Sequence, residues 1–281
     1  MKRVAIIGAP NKPTAAAVLE RVRQWLAGRA TVVYAGLSVD SSTTLHYNPE
    51  LIVVLGGDGT LIGVVHGLGE RQVPILGVNL GKLGYMAEFT PDQLEREGDF
   101  LFADGLTFSR RLMLDVTLAR ADGTELSSLA VNDCVVLAGM PFRMIELRLE
   151  SDGDEVATVR GDGLVVATPS GSTAHNLSAG GPILEPTAAA FILTPLCPHA
   201  LTFRPLVVDA RRVVEVRLLV ANEGTNVSID GQRNWSLRAG DRLRVRRYAA
   251  DFLLVRNPAY SVWSGLRRKL MWGAGPGQSA G

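Results

Sequence analysis

Gly56-Gly57-Asp58-Gly59-Thr60 sets one carboxylate among three glycines directly after the apolar run Leu51 to Leu55. In an open parallel sheet, ligands bind beyond the carboxyl ends of the strands, and the N–H groups opening the next helix favour phosphate there. Glycines let those amides approach closely, because no Cβ collides with an oxygen. A carboxylate repels phosphate unless a metal lies between them or the carboxylate takes a proton from an attacking group. Both are phosphoryl-transfer roles. A second reading stays open: Asp58 caps the helix, worth about 1 kcal/mol, and the glycines serve only the turn.

A second stretch runs from Arg160-Gly161-Asp162-Gly163 into LVVATPSGSTAHNLSAGGPIL. Thr168, Ser170, Ser172, Thr173, Asn176 and Ser178 crowd one loop beside an apolar strand. Buried hydroxyls each need a partner, so this density suits a ligand rich in donors and acceptors, such as a nucleotide; a solvated Ser/Gly loop is the alternative. Third, Asn132-Asp133 interrupts the apolar run LAVNDCVVL. Neighbouring side chains on a strand face opposite ways, so a bulge or strand end is needed for both to reach one pocket. There an amide can read an adenine edge and a carboxylate can accept from ribose hydroxyls. An ordinary Asn-Asp turn is the competing reading.

The elements that must position these residues follow from periodicity. Val4 to Ile7 reads as a buried strand, and Ala15, Val18, Leu19, Val22 and Leu26 recur at helical steps until Gly28. Thr31 to Tyr34, Leu51 to Leu55 and Ile75 to Val78 are further apolar runs, with a helix expected from Leu61 to about Leu68. Apolar strands interleaved with helices indicate a parallel sheet covered on both faces. Beyond Leu106 the texture becomes short alternating runs broken by Gly, Asn and Asp-Gly, which predicts a β-rich domain with a hairpin turn at Asp122-Gly123. Tyr260, Trp263, Leu266 and Leu270 lie near helical spacing and predict a closing helix that packs back on the first domain, followed by a mobile GAGPGQSAG tail. The expected division is 1–105, 106–255 and 256–281.

A chain of 281 residues suits one large or two medium domains, and 47% hydrophobic with 20% charged residues describes a globular protein. A net charge of +1 supplies no global field for nucleic acid or an anionic membrane, which favours a small ligand. Cys134 and Cys197 form no metal or redox spacing, so a reduced, cytoplasmic setting is expected. MKRVAIIGAP falls short of a signal peptide, and no apolar run approaches the roughly 20 residues that span a bilayer.

Taken together, VLGGDGT, VNLGKLGYMAE, VNDCVV, RGDGLVVATPSGSTAHNLSAGGPIL, TPLCPHALTFRPLVV and SIDGQ resemble the NAD kinase family along nearly the whole chain. The GGDG element is shared with lipid kinases and phosphofructokinases, whereas the stretch from Asp162 to Leu184 is specific. The resemblance implies an α/β, Rossmann-like N-terminal domain and a C-terminal β-sandwich domain. It further implies NAD bound between them and transfer from ATP, or polyphosphate, to the adenosine 2′-hydroxyl, with Mg²⁺ or another divalent cation. Carried over by position, Asp58 is the base for that hydroxyl or an organiser of the metal. Gly57, Gly59 and Thr60 face the donor phosphates, and Arg160 and His199 lie near the reacting phosphoryl group. Asn132, Ser170 and Thr173 read adenine, Asp133 holds ribose, and Asp162 holds the nicotinamide amide. Ser178 and His175 join the NAD-binding set, His175 standing where the family commonly has Tyr. A homodimer or homotetramer is also implied.

Two rival readings share parts of this pattern. A GGDGT lipid kinase would need an apolar acceptor channel, and a non-catalytic dinucleotide-binding regulator would keep the fold without turnover. His66 falls in the helix expected from Leu61 and reads as an ordinary packed or surface residue.

Overall fold

The computed structural model describes residues 1–281 except 39–40, 82–83, 104–105, 260, 262, 264–265, 268–269 and 271–281. The expected tail therefore lies outside the described residues, as does much of the closing segment, including Tyr260. The chain divides into two compact units, 1–68 with 72–109 and 253–281, and 69–71 with 110–252.

The first unit is built on β1 (Arg3–Gly8), α1 (Ala15–Leu26), β2 (Thr31–Gly36), β3 (Leu51–Leu55), α2 (Asp58–Leu68), β4 (Ile75–Val78), α3 (Pro91–Glu97) and the start of β5 (Phe108–Arg111), whose Arg110 and Arg111 belong to the second unit. β1 lies parallel to both β2 and β3, with Val4 opposite Leu51 and Gly8 opposite Leu55, and β3 lies parallel to β4. The sheet order is β2-β1-β3-β4, then the strand Phe252–Val255, then β5. β3 and β4 are buried at every residue, which is why they read as unbroken apolar runs. α1 turns Val22 and Leu26 inward onto the cluster formed by Val4, Ile6, Val53 and Leu55. The Phe252–Val255 strand, which texture alone groups with the second domain, pairs parallel with β4 through Leu254 and Ile75.

Helix α2 starts earlier than apolar spacing suggests. Its first turn forms inside the glycine motif, where the Gly57 carbonyl accepts the N–H of Thr60 at 3.1 Å and of Leu61 at 3.2 Å. Periodicity sees only the apolar positions that follow, so it places the start at Leu61.

The second unit is antiparallel β throughout. Its strands are β6 (Leu114–Ala119), β7 (Glu125–Ala130), β8 (Asp133–Leu137), β9 (Ile145–Ser151), β10 (Asp154–Gly161), β11 (Gly163–Ala167), β12 (Ala190–Leu196), β13 (Leu206–Asp209), β14 (Val214–Val220), β15 (Asn226–Ile229), β16 (Arg233–Ser236) and β17 (Arg242–Arg247). The Phe252–Val255 strand is β18, and a short helix α4 (His175–Ser178) lies between β11 and β12. Two six-stranded sheets result, ordered β10-β9-β14-β17-β6-β7 and β13-β12-β11-β8-β15-β16.

One core joins the inner faces of these sheets: Val116, Leu147, Val216 and Val245 from the first meet Val136, Val166, Phe191 and Val227 from the second. Val135, Val165, Ala167 and Ile192 point out of the opposite face of the second sheet, where Ala179 and Leu184 cover them. Both faces of β8 and β11 are therefore apolar, and the segment bearing the hydroxyl-rich loop forms the lid on the outer one. The expected hairpin at Asp122-Gly123 joins β6 to β7, with the Asp122 carboxylate accepting the Thr124 N–H at 2.9 Å and Gly123 at φ 87°.

Candidate functional site

In the first unit the site is the β3-to-α2 junction. A Cβ on Gly56 would lie 2.5 Å from Thr60 Oγ1, so packing of Thr60 alone requires glycine there. Gly57 and Gly59 differ: a Cβ at either meets no atom within 4 Å among the described residues, and neither has a left-handed φ. The fold does not require glycine at these two positions. Their shared property is open space where a side chain would stand, at the opening of α2, which is what close approach of a ligand to the backbone requires.

Asp58, the first residue of α2, turns its carboxylate onto the following loop. Oδ2 accepts the N–H of Tyr85 at 2.7 Å, and Oδ1 accepts those of Met86 at 3.0 Å and Ala87 at 3.1 Å. These three bonds of Asp58 run to a distant loop, which distinguishes it from a simple helix cap. An ionised carboxylate offers about four lone-pair sites, so roughly one stays open to a ligand. The approach is tight: a Cβ at Gly84 would lie 2.1 Å from Asp58 Oδ1. Burial, and then the charge of Asp58, push the Tyr85 phenol up.

In the second unit the chain leaves β7 of one sheet and enters β8 of the other through Val131 and Asn132. A crossing of this kind breaks the strand ladder, and buried N–H groups still need acceptors. Asp230 supplies them. Its Oδ2 accepts from Val131 at 2.7 Å, and its Oδ1 from Asn132 at 2.7 Å and Asp133 at 3.0 Å. The Asp133 side chain is buried at 5% exposure, and burial, followed by the neighbouring Asp230 charge, pushes its carboxyl up to about 7. Asn132 is half-buried, and among the described residues its Oδ1 has no hydrogen-bond partner.

The hydroxyl-rich loop is sewn to this crossing. Thr168 N–H donates to the Asn132 carbonyl at 2.8 Å and Thr168 Oγ1 to the Val131 carbonyl at 2.6 Å. A Cβ on Gly171 would lie 2.0 Å from the Asn132 carbonyl oxygen, so close backbone approach requires glycine. Asn132, Asp133, Ser170 and Thr173 are brought together in this way. Ser170 is buried with Arg111 Nη1 3.5 Å from its hydroxyl, and Thr173 Oγ1 donates to the Ser170 carbonyl at 3.3 Å. Not every hydroxyl of the loop faces outward. Thr168, Ser172 and Asn176 are fully buried; Ser172 Oγ donates to the Pro169 carbonyl at 2.7 Å, and Asn176 takes the Thr194 hydroxyl at 2.7 Å. These three build the loop. His175 and Ser178, at the two ends of α4, are exposed.

A second grouping forms where β10, β11 and β12 meet. The Arg160 carbonyl accepts the His199 N–H at 2.8 Å, while the exposed Arg160 guanidinium pairs with Glu146 at 3.2 Å. Asp162 N–H donates to the Leu196 carbonyl at 2.9 Å, and its carboxylate holds the thiol of Cys197, which pushes that thiol's pKa up and disfavours its ionisation. Asp230, Glu146 and Cys197 are partners that residue spacing did not single out; Asp230 stood in the SIDGQ motif and a turn-forming Asp-Gly pair, with no role attached.

The sequence models of the ATP-NAD kinase N-terminal domain and the ATP-NAD kinase C-terminal domain match residues 46–105 and 131–257. An NAD kinase of Rhodopirellula baltica is 37% identical over 96% of this chain and 86% of its own length. One of Aromatoleum aromaticum is 39% identical over 97% and 95%. The chain belongs to the NAD kinase family. Among solved structures, an Archaeoglobus fulgidus NAD kinase in complex with ATP superposes with a TM-score of 0.74 at 29% identity, covering 91% of this chain and 94% of its own. A yeast NADH kinase complexed with NADH shares the fold, with a TM-score of 0.85 at 22% identity over 99% of this chain and 89% of its own. Nothing in these relationships supports the lipid-kinase or regulator readings of the NAD kinase motifs.

Proposed function

We propose that this chain transfers the γ-phosphoryl group of ATP to the adenosine 2′-hydroxyl of NAD, giving NADP and ADP. The observation that carries the reading is the pair Gly57 and Gly59 at the head of α2, with open space where a Cβ would stand and Asp58 between them. A kinase needs little covalent chemistry from its side chains, because phosphoryl transfer is governed by positioning and charge stabilisation. Gly57, Gly59 and Thr60 receive the donor phosphates. The 2′-oxygen attacks the γ-phosphorus, the bond to the β-phosphate oxygen breaks, and the hydroxyl proton passes to the open edge of Asp58. Asn132, Ser170 and Thr173 bind adenine, with Asp133 on the ribose; His175 and Ser178 flank that set. Asp162 takes the nicotinamide amide, and Arg160 and His199 flank the phosphoryl group.

Kinase Mg²⁺ is held by one or two carboxylates together with the substrate phosphates. Among the described residues there is no group of three His, Cys, Asp or Glu side chains that could hold a metal, and the one open site of Asp58 faces the hydroxyl, so the cation would be held chiefly by the substrate phosphates beside Asp58. Bound there, the cation would neutralise charge on the donor phosphates.

No described helix is long and apolar enough to cross a membrane. A cytoplasmic setting and a homo-oligomer complete the reading, with no nucleic acid or membrane partner. Exposed Leu206 and Val207 on the edge strand β13 support self-association, which light scattering measures directly. The deciding experiment is NADP formation from NAD, ATP and Mg²⁺, read through an NADP-specific dehydrogenase, with polyphosphate as a second donor. Silence with both donors overturns the kinase reading.

A further inference from the structure

We propose that Asp230 is a positioning residue for the adenosine half of NAD: it sets the backbone of Val131, Asn132 and Asp133 and the proton state of the Asp133 carboxyl. The inference rests on the kinase reading, which places Asn132 on adenine and Asp133 on ribose.

The geometry is a closed clamp. Asp230 begins the loop joining β15 to β16 and adopts a left-handed backbone at φ 52°, followed by Gly231 at φ 64°. Asp is among the few non-glycine residues that enter this region readily. Its N–H donates to the Asp133 carbonyl at 3.0 Å, and its carboxylate accepts three successive N–H groups from residues 131–133. Four hydrogen bonds thus fix one hairpin tip to one sheet crossing. β15 and β8 also pair as neighbouring strands, with Ile229 opposite Cys134, so the clamp sits at the end of a rigid ladder.

An ordinary structural clamp would need only an acceptor. Asp230 brings a negative charge beside a second buried carboxyl, and that has a functional consequence. Among the described residues, Asp230 is the charged group that acts on Asp133; the next residue, Cys134, is fully buried with its thiol held neutral by burial and by these two carboxyls. Ribose hydroxyls donate to an ionised carboxylate. NAD should therefore bind more tightly as pH rises through about 7, where Asp133 loses its proton.

The test is kinetic, with NAD and ATP varied separately between pH 5.5 and 9, and calorimetric, with NAD alone. Asp230→Asn removes the charge and replaces one acceptor by a donor. The expected result is a KM for NAD raised at least tenfold, a KM for ATP within about twofold, and a midpoint for kcat/KM of NAD moved to lower pH. Asp230→Glu keeps the charge and should keep the midpoint; Asp133→Asn should abolish the step. Amide exchange at residues 131–133 should quicken in Asp230→Asn. A KM for NAD within twofold, or uniform losses with an unmoved midpoint, overturns the proposal. Should Asp230→Asn not fold, survival of the step in Asp133→Asn overturns it. Absence of NADP from the wild type would instead remove the kinase reading, while NAD calorimetry still reads the clamp.

Discussion

Asp230 and Asp133 are joined in both directions: the Asp230 carboxylate accepts the Asp133 N–H, and the Asp133 carbonyl accepts the Asp230 N–H, each at 3.0 Å. The second carboxyl is thereby held close to the first inside the protein, which has a thermodynamic consequence. Burial and then Asp230 raise the folded-state pKa of Asp133 to about 7, above the roughly 3.9 of an unfolded Asp. The folded protein then binds the extra proton between these values, so the Asp133 contribution is favourable below about pH 4 and is lost as pH rises through about 7. Asp133→Asn should flatten this dependence. Urea unfolding at pH 5 and pH 8 is expected to show the variant gaining on the wild type at the higher pH, by an amount on the order of a few kcal/mol. An identical pH difference in both proteins would exclude the effect.

Asp58 carries a related clamp with a different consequence. Its carboxylate holds three N–H groups of residues 85–87 and, in the proposed mechanism, also takes the hydroxyl proton. Asp58→Asn should reduce kcat at least a hundredfold, and a loss of only a fewfold would remove the base role. The amide cannot accept at both ends, so at least one loop N–H loses its acceptor. A destabilisation of about 1–3 kcal/mol should accompany the kinetic loss. Denaturation and steady-state kinetics on the same preparation separate the two effects.

The glycines of the motif separate fold from ligand. Gly59→Ala meets no described atom within 4 Å and has an ordinary backbone, so it should hold or raise stability by about 0.4–1 kcal/mol while raising the KM for ATP tenfold or more. Gly84→Ala should do the reverse at the level of folding, because its Cβ would press on the Asp58 carboxylate. Thermal melting beside ATP titration distinguishes the cases. An unchanged KM for ATP in both Gly57→Ala and Gly59→Ala would leave the phosphate-cradle reading without support.

The parallel sheet was legible because Leu51–Leu55 and Ile75–Val78 are buried on both faces and so carry unbroken apolar signatures. The β-rich character of the second domain was legible from the alternation in β6 and β9, whose side chains are buried at every second position; its sandwich form came from the family resemblance. What stayed hidden depends on contacts distant in sequence. The Asp58 bonds span 27 to 29 residues and those of Asp230 span 97 to 99, distances that no local pattern encodes. The inward orientation of Thr168, Ser172 and Asn176 was equally hidden, since composition reveals hydroxyl density and says nothing of which way each side chain turns. Leu254, in a four-residue strand, reaches the first sheet by pairing with Ile75, far away in the chain.

The pairing of Cys197 with Asp162 gives a chemical readout of the residue proposed to hold the nicotinamide amide. Cys197 is exposed, yet its hydrogen bond to Asp162, followed by the charge of that carboxylate, raises its thiol above the ordinary value. Alkylation proceeds through the thiolate, so an exposed cysteine with a raised pKa reacts slowly at pH 8. Cys134 is fully buried and should stay silent until the protein unfolds. Iodoacetamide labelling followed by mass spectrometry should therefore show one slowly modified thiol in the folded protein and two after denaturation. Asp162→Asn removes the negative charge and should accelerate Cys197 labelling severalfold at fixed pH, with the rate-against-pH curve moved to lower pH. Equal rates in wild type and variant would mean that the carboxylate does not govern the thiol in solution, leaving Asp162 free to turn wholly toward its substrate.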